Sequence, residues 1–324
     1  MAYSKLVGAV CAAFMLAAPA FAQEYPDRQI TMVVPFSAGG PTDTVARLVA
    51  ERMSADLGQQ IVIENVGGAG GTLGAGQVAK AEPDGYTLLL HHIGMATSAT
   101  LYRNLAYDTL NAFDYVGLVT EVPMVVVARK EFEPADFASF IEYVKANGDA
   151  LTLANAGIGS ASHLCGMLLM SALDVPLVTV PYKGTGPAMT DLLGGQTDIM
   201  CDQSTNTAQQ IKGGTVKAYA VTTPERLALF PDLPTAEEGG LDGFEVSIWH
   251  GIYAPKGTPA EITGRLAESL RLALADEGVV TAMAELGTAP SPAADATPAA
   301  LQAKLESEIT RWKPVIDAAG VYAD

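Results

Sequence analysis

The sequence has few positive charges for its length. Its 324 residues contain 19 Lys and Arg against 36 Asp and Glu, which gives a formal net charge of −17. A surface this acidic argues against nucleic acid or an anionic membrane as a partner. It does not exclude a small anionic ligand, because backbone amides attract an anion locally whatever the charge of the distant surface.

Long apolar runs are also scarce. The strongest one spans residues 6–18, follows Lys5 and ends before the small-residue segment 19–22. It is shorter than the ~20 residues that a membrane-spanning helix needs. The pattern is typical of a signal peptide over residues 1–22 and predicts cleavage after Ala22, export and a soluble mature chain. Removing Lys5 would change the formal charge from −17 to −18.

The sequence lacks the motifs of common hydrolases and metal sites. It contains no G-x-S-x-G nucleophile elbow, and its four histidines show neither H-x-x-x-H nor H-E-x-x-H spacing. Ser160, His163 and Asp202 are the residue types of a Ser/His hydrolase triad. The hydroxyl of Ser160, three residues before His163, is however better explained as a helix cap. We therefore expect no catalytic residue, no metal and no cofactor, and keep the hydrolase as the weaker alternative.

Cysteine is rare as well. Cys11 falls within the signal segment, so Cys165 and Cys201 remain in a compartment that permits disulfides. The sequence leaves open whether they form a disulfide or stay as two buried thiols.

The sequence does contain a glycine-rich loop between a strand and a helix. Residues 30–35 are typical of a short apolar strand, and the apolar spacing that follows predicts a helix ending at Gly58. Backbone N–H groups of the intervening loop would converge beyond the strand and favour an anion. An ordinary strand-to-helix connection is the alternative. The candidate residues of this first loop are Ser37, Ala38, Gly39, Gly40 and Thr42.

The same arrangement recurs later in the chain. The pattern predicts a strand over residues 151–154, a loop over 155–160 and a helix over 162–173. Glycines, serine hydroxyls and the N-terminus of a helix would therefore again lie together beyond the end of a strand. Asp202 follows another predicted strand, 198–201. Ligands of open parallel sheets bind at such strand ends, so we expect these positions to lie in one layer.

A second glycine cluster, residues 67–76, contains no G-x-G-x-x-G and does not predict a nucleotide site. We expect its glycines to let this segment pack closely against the first loop.

The hydrophobic pattern predicts two α/β lobes. The apolar runs 113–119 and 124–128 flank a segment, 120–123, where the chain could cross between lobes, and the extended segment 244–254 could carry it back. The predicted division is residues 23–123 with 250–324 for lobe 1, and residues 124–249 for lobe 2.

Several motifs together resemble a known family. In order along the chain stand Val-Pro-Phe-Ser-Ala-Gly-Gly-Pro-Thr-Asp, Pro-Asp-Gly-Tyr-Thr-Leu, Gly-Ser-Ala-Ser-His-Leu, Val-Pro-Tyr-Lys-Gly and Phe-Pro-Asp-Leu-Pro-Thr. This set resembles the Bug-type extracytoplasmic solute receptors, the substrate-binding proteins of tripartite tricarboxylate transporters. The resemblance implies a two-lobe periplasmic binding protein (Venus flytrap) fold, each lobe a mainly parallel sheet flanked by helices.

The same resemblance implies how the protein works. A monomer would enclose a carboxylate between two closing lobes and deliver it to the membrane components of such a transporter. The first loop would hold one carboxylate through its amides, partly through water. Residues of the second lobe would meet the far end of the ligand, and in relatives that bind amino acids the acid matching Asp202 can face the ammonium group. These residues are Gly159, Ser160, Ser162, Lys183, Gly184 and Asp202.

One departure from the family bears on the ligand. The loop after the third predicted strand usually carries small or hydroxyl residues, but here it contains His92 and Met95, which we count as lining residues. Imidazole and thioether groups can lie against a flat, apolar ligand. We therefore expect an organic dicarboxylate, with an aromatic one such as terephthalate beside citrate-like and aliphatic acids. A periplasmic sensor adaptor with the same fold is the alternative to a transport receptor.

Overall fold

The computed structural model describes residues 25–320, 322 and 323. The predicted signal peptide and its cleavage site lie outside this range. No helix within the described residues is both long and apolar enough to cross a membrane.

Strands and helices alternate over most of the described chain. In chain order the strands are β1 Ile30–Val34, β2 Ile61–Asn65, β3 Thr87–His92, β4 Phe113–Arg129, β5 Thr152–Asn155, β6 Val178–Pro181, β7 Ile199–Gln203, β8 Val216–Val221, β9 Ser247–Pro255 and β10 Ala289–Pro290. The helices are α1 Pro41–Leu57, α2 Thr72–Val78, α3 Gly94–Leu101, α4 Phe137–Asn147, α5 Ala161–Leu173, α6 Thr185–Leu193, α7 Ser204–Lys212, α8 Ala260–Leu274, α9 Glu277–Glu285 and α10 Pro298–Ala319.

One long strand, β4, belongs to two sheets. Its residues up to Pro123 pair with β9, in a sheet of order β2-β1-β3-β9-β4 whose first three strands are parallel. From Met124 onward β4 pairs with β7 and β8, in a second sheet that continues through β5 to β6. We call the parts built on these sheets lobe 1 and lobe 2. The residue boundaries given above for the lobes remain a prediction.

Helix α1 illustrates why the chain folds as its pattern predicts. Its apolar residues recur every three or four positions, so one side of the helix is buried against the sheet of lobe 1. The helix ends at Gly58, which adopts the left-handed conformation that glycine allows at a C-terminus.

One local feature differs from the sequence-based expectation. The segment after β3, expected to be a loop, is helix α3, which begins at Gly94, two residues after the strand ends. The two apolar runs around residues 120–123 lie in one strand, β4, which changes its pairing partners after Pro123.

The two cysteines whose state the sequence left open are joined in a disulfide. Cys165 lies on α5 and Cys201 on β7, 36 residues apart in the chain, and both side chains are fully buried.

Asp198, just before β7, ties three strands of lobe 2 together. Its carboxylate accepts hydrogen bonds from Arg129 Nε at 3.0 Å and from the backbone N–H and hydroxyl of Thr152 at 3.0 and 2.8 Å. Burial alone would raise the pKa of Asp198, but the bonds from Thr152 and Arg129 outweigh it and lower the pKa.

We expect Asp198→Asn to lower the free energy of unfolding by about 1–3 kcal/mol, because a charged acceptor of several donors is lost. A lowered pKa contributes stability that is present at neutral pH and lost as pH falls through the folded-state pKa. The difference from the wild type, measured by urea unfolding, should therefore shrink in acid.

The control for this change is Asp317→Asn, which removes the exposed ion pair with Lys313 and should change stability far less, because solvent screens an exposed pair. Equal effects of the two substitutions would contradict the role given to Asp198.

Candidate ligand-binding site

A small cavity lies between the lobes, where four helices begin. Helices α1, α5 and α6 contribute residues of their first turn to its lining, and α7 contributes its N-cap residue, Gln203. The N–H groups of a first turn have no partner within the helix, and this end carries partial positive charge. The lining residues are Phe36, Pro41, Thr42, His92, Ala156, Ser160, Ala161, Ser162, Thr185, Asp202 and Gln203.

The cavity is narrow because the lobes are closed on each other. The volume of the cavity is about 10 Å³, which is close to the volume that one water molecule requires. A larger ligand therefore requires the surrounding side chains or the lobes to move apart.

The first loop uses part of its backbone internally. Gly39 N–H donates to Asp43 Oδ2 at 2.9 Å, and the same carboxylate binds Arg47 and Asn65. Burial would raise the pKa of Asp43, but these hydrogen bonds lower it, so the group is ionised at neutral pH. Sequence reasoning missed this carboxylate, which neutralises part of the positive charge expected at the loop.

The structure places only one of the predicted first-loop residues, Thr42, at the cavity wall. Ala38 and Gly39 are exposed, Gly40 caps α1, and Ser37 N–H donates to the carbonyl of Lys183 in lobe 2 at 3.2 Å. Ligand contacts by these residues remain a prediction.

The start of α5 supplies two buried hydroxyls to the cavity. Ser160 Oγ accepts from His163 N–H at 3.2 Å and caps the helix, while Ser162 Oγ accepts from Ala156 N–H at 2.9 Å. Gly159, just before them, directs its N–H to His163 Nδ1 at 3.3 Å. Ser160 thus meets the backbone of His163 and not its ring, which agrees with a cap. Burial lowers the pKa of His163 to about 4.

Asp202 and Gln203 bring two unpaired acceptors into the cavity. Both side chains are buried, and Asp202 Oδ1 and Gln203 Oε1 have no hydrogen-bond partner among the described residues. Asp202 Oδ2 accepts from Asn206 Nδ2. Burial raises the pKa of Asp202 to about 7, although the hydrogen bond from Asn206 and the nearby backbone of Gln203 and side chain of Thr185 act in the opposite direction. This carboxyl group therefore titrates near neutral pH.

An aromatic cluster forms the lobe 1 side of the cavity. The ring of His92 stacks on Phe36 with centroids 4.6 Å apart, and His250 lies edge-on to it at 5.8 Å. His92 Nδ1 accepts from Gly94 N–H at 2.9 Å, so the neutral ring carries its hydrogen on Nε2. Burial, with the neighbouring histidines, lowers the pKa of His92 well below its usual value. Met95 is buried in the core of lobe 1 and is not among the lining residues.

Comparison with known proteins places this chain in a family. Residues 45–321 match the family model described as the tripartite tricarboxylate transporter family receptor, TctC. The chain belongs to this receptor family.

Solved structures of similar proteins confirm the predicted fold. This receptor is similar to the periplasmic binding protein BugD, with a TM-score of 0.91 and 53% identity over 93% of this chain and 100% of that one. It is similar to MatC from Rhodopseudomonas palustris with bound malate (TM-score 0.87, 44% identity, 90% and 100% of the two chains). It is also similar to R. palustris Rpa4515 with adipate (TM-score 0.88, 33% identity, 92% and 99%).

Sequence reasoning missed about half of the lining of this receptor's cavity. Gln203 and Thr185 each follow a predicted residue directly, at the start of a helix, and a search for helix-start polar side chains would have found them. The others are apolar and carry no signal of ligand contact. The missed residues are Phe36, Pro41, Ala156, Ala161, Thr185 and Gln203.

Direct contacts between the lobes hold the receptor closed. Tyr102 Oη donates to Ile158 O at 2.7 Å, and Thr97 Oγ1 donates to Gly159 O at 3.0 Å.

The cluster of glycines before α2 packs against the first loop, as expected. At Gly67 an added Cβ would lie 3.2 Å from the backbone nitrogen of Ser37.

Gly184 is the predicted site residue with the closest approach across the lobes. A Cβ there would lie 2.1 Å from Ser37 Oγ and 2.8 Å from Ser37 N. Its neighbour Lys183 has an exposed side chain and contacts lobe 1 through its carbonyl. We conclude that closure depends on the absence of a side chain at Gly184.

We therefore expect Gly184→Ala to prevent full closure while leaving each lobe folded. The radius of gyration from small-angle X-ray scattering should be larger for this variant than for the wild type. Gly264→Ala is the control, since an added Cβ on this exposed position of α8 meets nothing within 4 Å. A variant as compact as the wild type would contradict this account.

Proposed function

We propose that this receptor binds an aliphatic C4 to C6 dicarboxylate between its lobes in the periplasm and delivers it to a tripartite tricarboxylate-type membrane transporter. The convergence of four helix N-termini on one closed cavity carries this proposal. Among the described residues, the lining set contains no Lys or Arg, so the helix ends must balance the charge of the ligand. MatC and Rpa4515, which hold malate and adipate, support this ligand class.

The polar wall of lobe 2 suits a ligand with a hydrogen-bond donor. Asp202 Oδ1 and Gln203 Oε1 are acceptors that find no partner within residues 25–320, and leaving a buried acceptor unpaired costs about 1–3 kcal/mol. A hydroxyl group, as in malate, would satisfy one of them. When protonated, Asp202 can also donate to a ligand carboxylate, and no like charges then meet.

An aromatic dicarboxylate of the terephthalate type is the second candidate. The observation that favours it is the flat face of Phe36 and His92 at the cavity. These two rings are already stacked on each other, and the narrow cavity suits a slimmer aliphatic chain better. A sensor adaptor would bind its ligand in the same way and differ only in the partner that receives it.

A thermal-shift screen of the mature protein tests the ligand class. A ligand at about 100 times its Kd should stabilise the folded state by about 2.7 kcal/mol, provided that it binds only that state. We expect a raised unfolding midpoint with malate, succinate or adipate, confirmed by calorimetry, and a smaller rise with terephthalate. The screen should also include citrate and aspartate. An unfolding midpoint that no carboxylate raises would overturn the proposed function.

Asp202 should make binding of a dicarboxylate depend on pH. Above the pKa of Asp202, about 7, its negative charge would lie beside a ligand whose carboxylates are already ionised, since ordinary carboxyl pKa values are near 4. Affinity of the wild type, measured by calorimetry, should fall as pH rises through this value.

The matched variant for this test is Asp202→Asn, which cannot ionise and should give a flat pH profile. An affinity that instead rises with pH in the wild type, and is lost in the variant, would indicate a ligand with an ammonium group facing Asp202.

A further inference from the structure

The disulfide lies directly behind the lobe 2 wall of the cavity. Cys165 is one turn beyond Ser162 on α5, and Cys201 immediately precedes Asp202 on β7. The two elements joined by the bond are therefore the two that present the polar side chains of this wall. We infer that the Cys165–Cys201 disulfide positions the lobe 2 half of the ligand site, an inference that rests on the proposed dicarboxylate binding.

The two elements differ in how firmly the fold holds them. β7 lies inside the second sheet, between β4 and β5, and each of its residues is buried. Helix α5 connects β5 to β6, and within the described residues β6 has β5 as its sheet partner and carries mostly exposed side chains. The disulfide thus fastens the helix that leads to the edge strand β6 to a strand in the centre of the sheet.

The connection that leads into α5 contains Gly157 and Gly159, both with positive φ, at 100° and 85°, a conformation that glycine readily adopts. Within lobe 2 its hydrogen bonds, from Ala156 N–H to Ser162 Oγ and from Gly159 N–H to His163 Nδ1, tie the start of the helix to its own connection. The bond at Cys165, five residues after the Ser160 cap, fixes that start from the opposite side.

Fixing α5 against β7 matters because the ligand contacts come from both. Ser160 and Ser162 belong to the helix, whereas Asp202 and Gln203 belong to the strand and the helix after it. A site held in its bound geometry before the ligand arrives loses less entropy on binding. If the bond opens, the wall can spread, water can reach Asp202, and its pKa should return toward the ordinary carboxyl value.

The test compares the oxidised wild type with the same chain refolded in dithiothreitol, which reduces the disulfide to two thiols while becoming a cyclic disulfide itself. A thiol assay confirms each state. Calorimetry with malate and adipate should show affinity about tenfold weaker for the reduced protein. The midpoint of the pH profile should also move to lower pH. Three histidines line the cavity or contact its lining, namely His92, His163 and His250; all have lowered pKa values and stay neutral there.

A control on the same helix separates positioning from general stability. Leu169→Ala removes a fully buried side chain one turn beyond Cys165 and away from the cavity. It should lower the unfolding midpoint yet leave the affinity and the pH profile unchanged. The double variant Cys165→Ala, Cys201→Ala should bind like the reduced wild type. If this variant does not fold, the measurement on the reduced wild type tests the inference.

The outcomes are distinguishable. If the oxidised protein binds no dicarboxylate, the proposed function fails and this inference with it. If it binds, and reduction leaves both affinity and pH profile unchanged, only the role of the disulfide is overturned. A loss of affinity in Leu169→Ala as large as that on reduction would also overturn it, because the effect would then be general destabilisation.

Discussion

Backbone N–H groups at the first turn of a helix must find partners outside the helix, and this constraint organises the whole binding region. The two sheets share β4, so the carboxyl ends of strands from both lobes face the same gap. Short connections after β5 and β7 and the loop after β1 start α5, α7 and α1 at that gap. The resulting positive end charges lie where no cationic side chain lines the cavity among the described residues. An anion enclosed there is held mainly by the backbone, which supplies fixed dipoles without the entropy cost of ordering long side chains.

Close approach of the lobes is the second requirement, and glycine meets it. Gly184 lies against the backbone of Ser37, and Gly67 lies against the carbonyl of Lys183, so the lobes touch through main-chain atoms. The closed state gains direct hydrogen bonds, such as that from Tyr102 to the carbonyl of Ile158. A ligand that adds contacts only in this closed arrangement shifts the population toward it.

The ionisable groups of the site are kept largely neutral. Burial lowers the pKa of His91 and His250 to about 3 and raises that of Asp202 to about 7. Asp43 is the exception, because Arg47 and two other donors compensate its charge. The cavity therefore offers an anion hydrogen bonds and helix ends, with Asp202 as the group whose charge changes near neutral pH.

Local patterning was enough to predict the alternation of strands and helices, the α1 boundary at Gly58 and the Ser160 cap, since each depends on residues close in sequence. The order of the motifs was enough to indicate the family. The sequence could not show that the carboxylate of Asp43 accepts a hydrogen bond from Gly39 N–H, or that Met95 is buried in the core while Phe36 faces the cavity. Those outcomes depend on which side of an element meets another lobe, and local spacing does not specify this. The pairing of Cys165 with Cys201 is of the same kind: the sequence by itself determined that two thiols were present, and only the packing of α5 on β7 brought them within bonding distance.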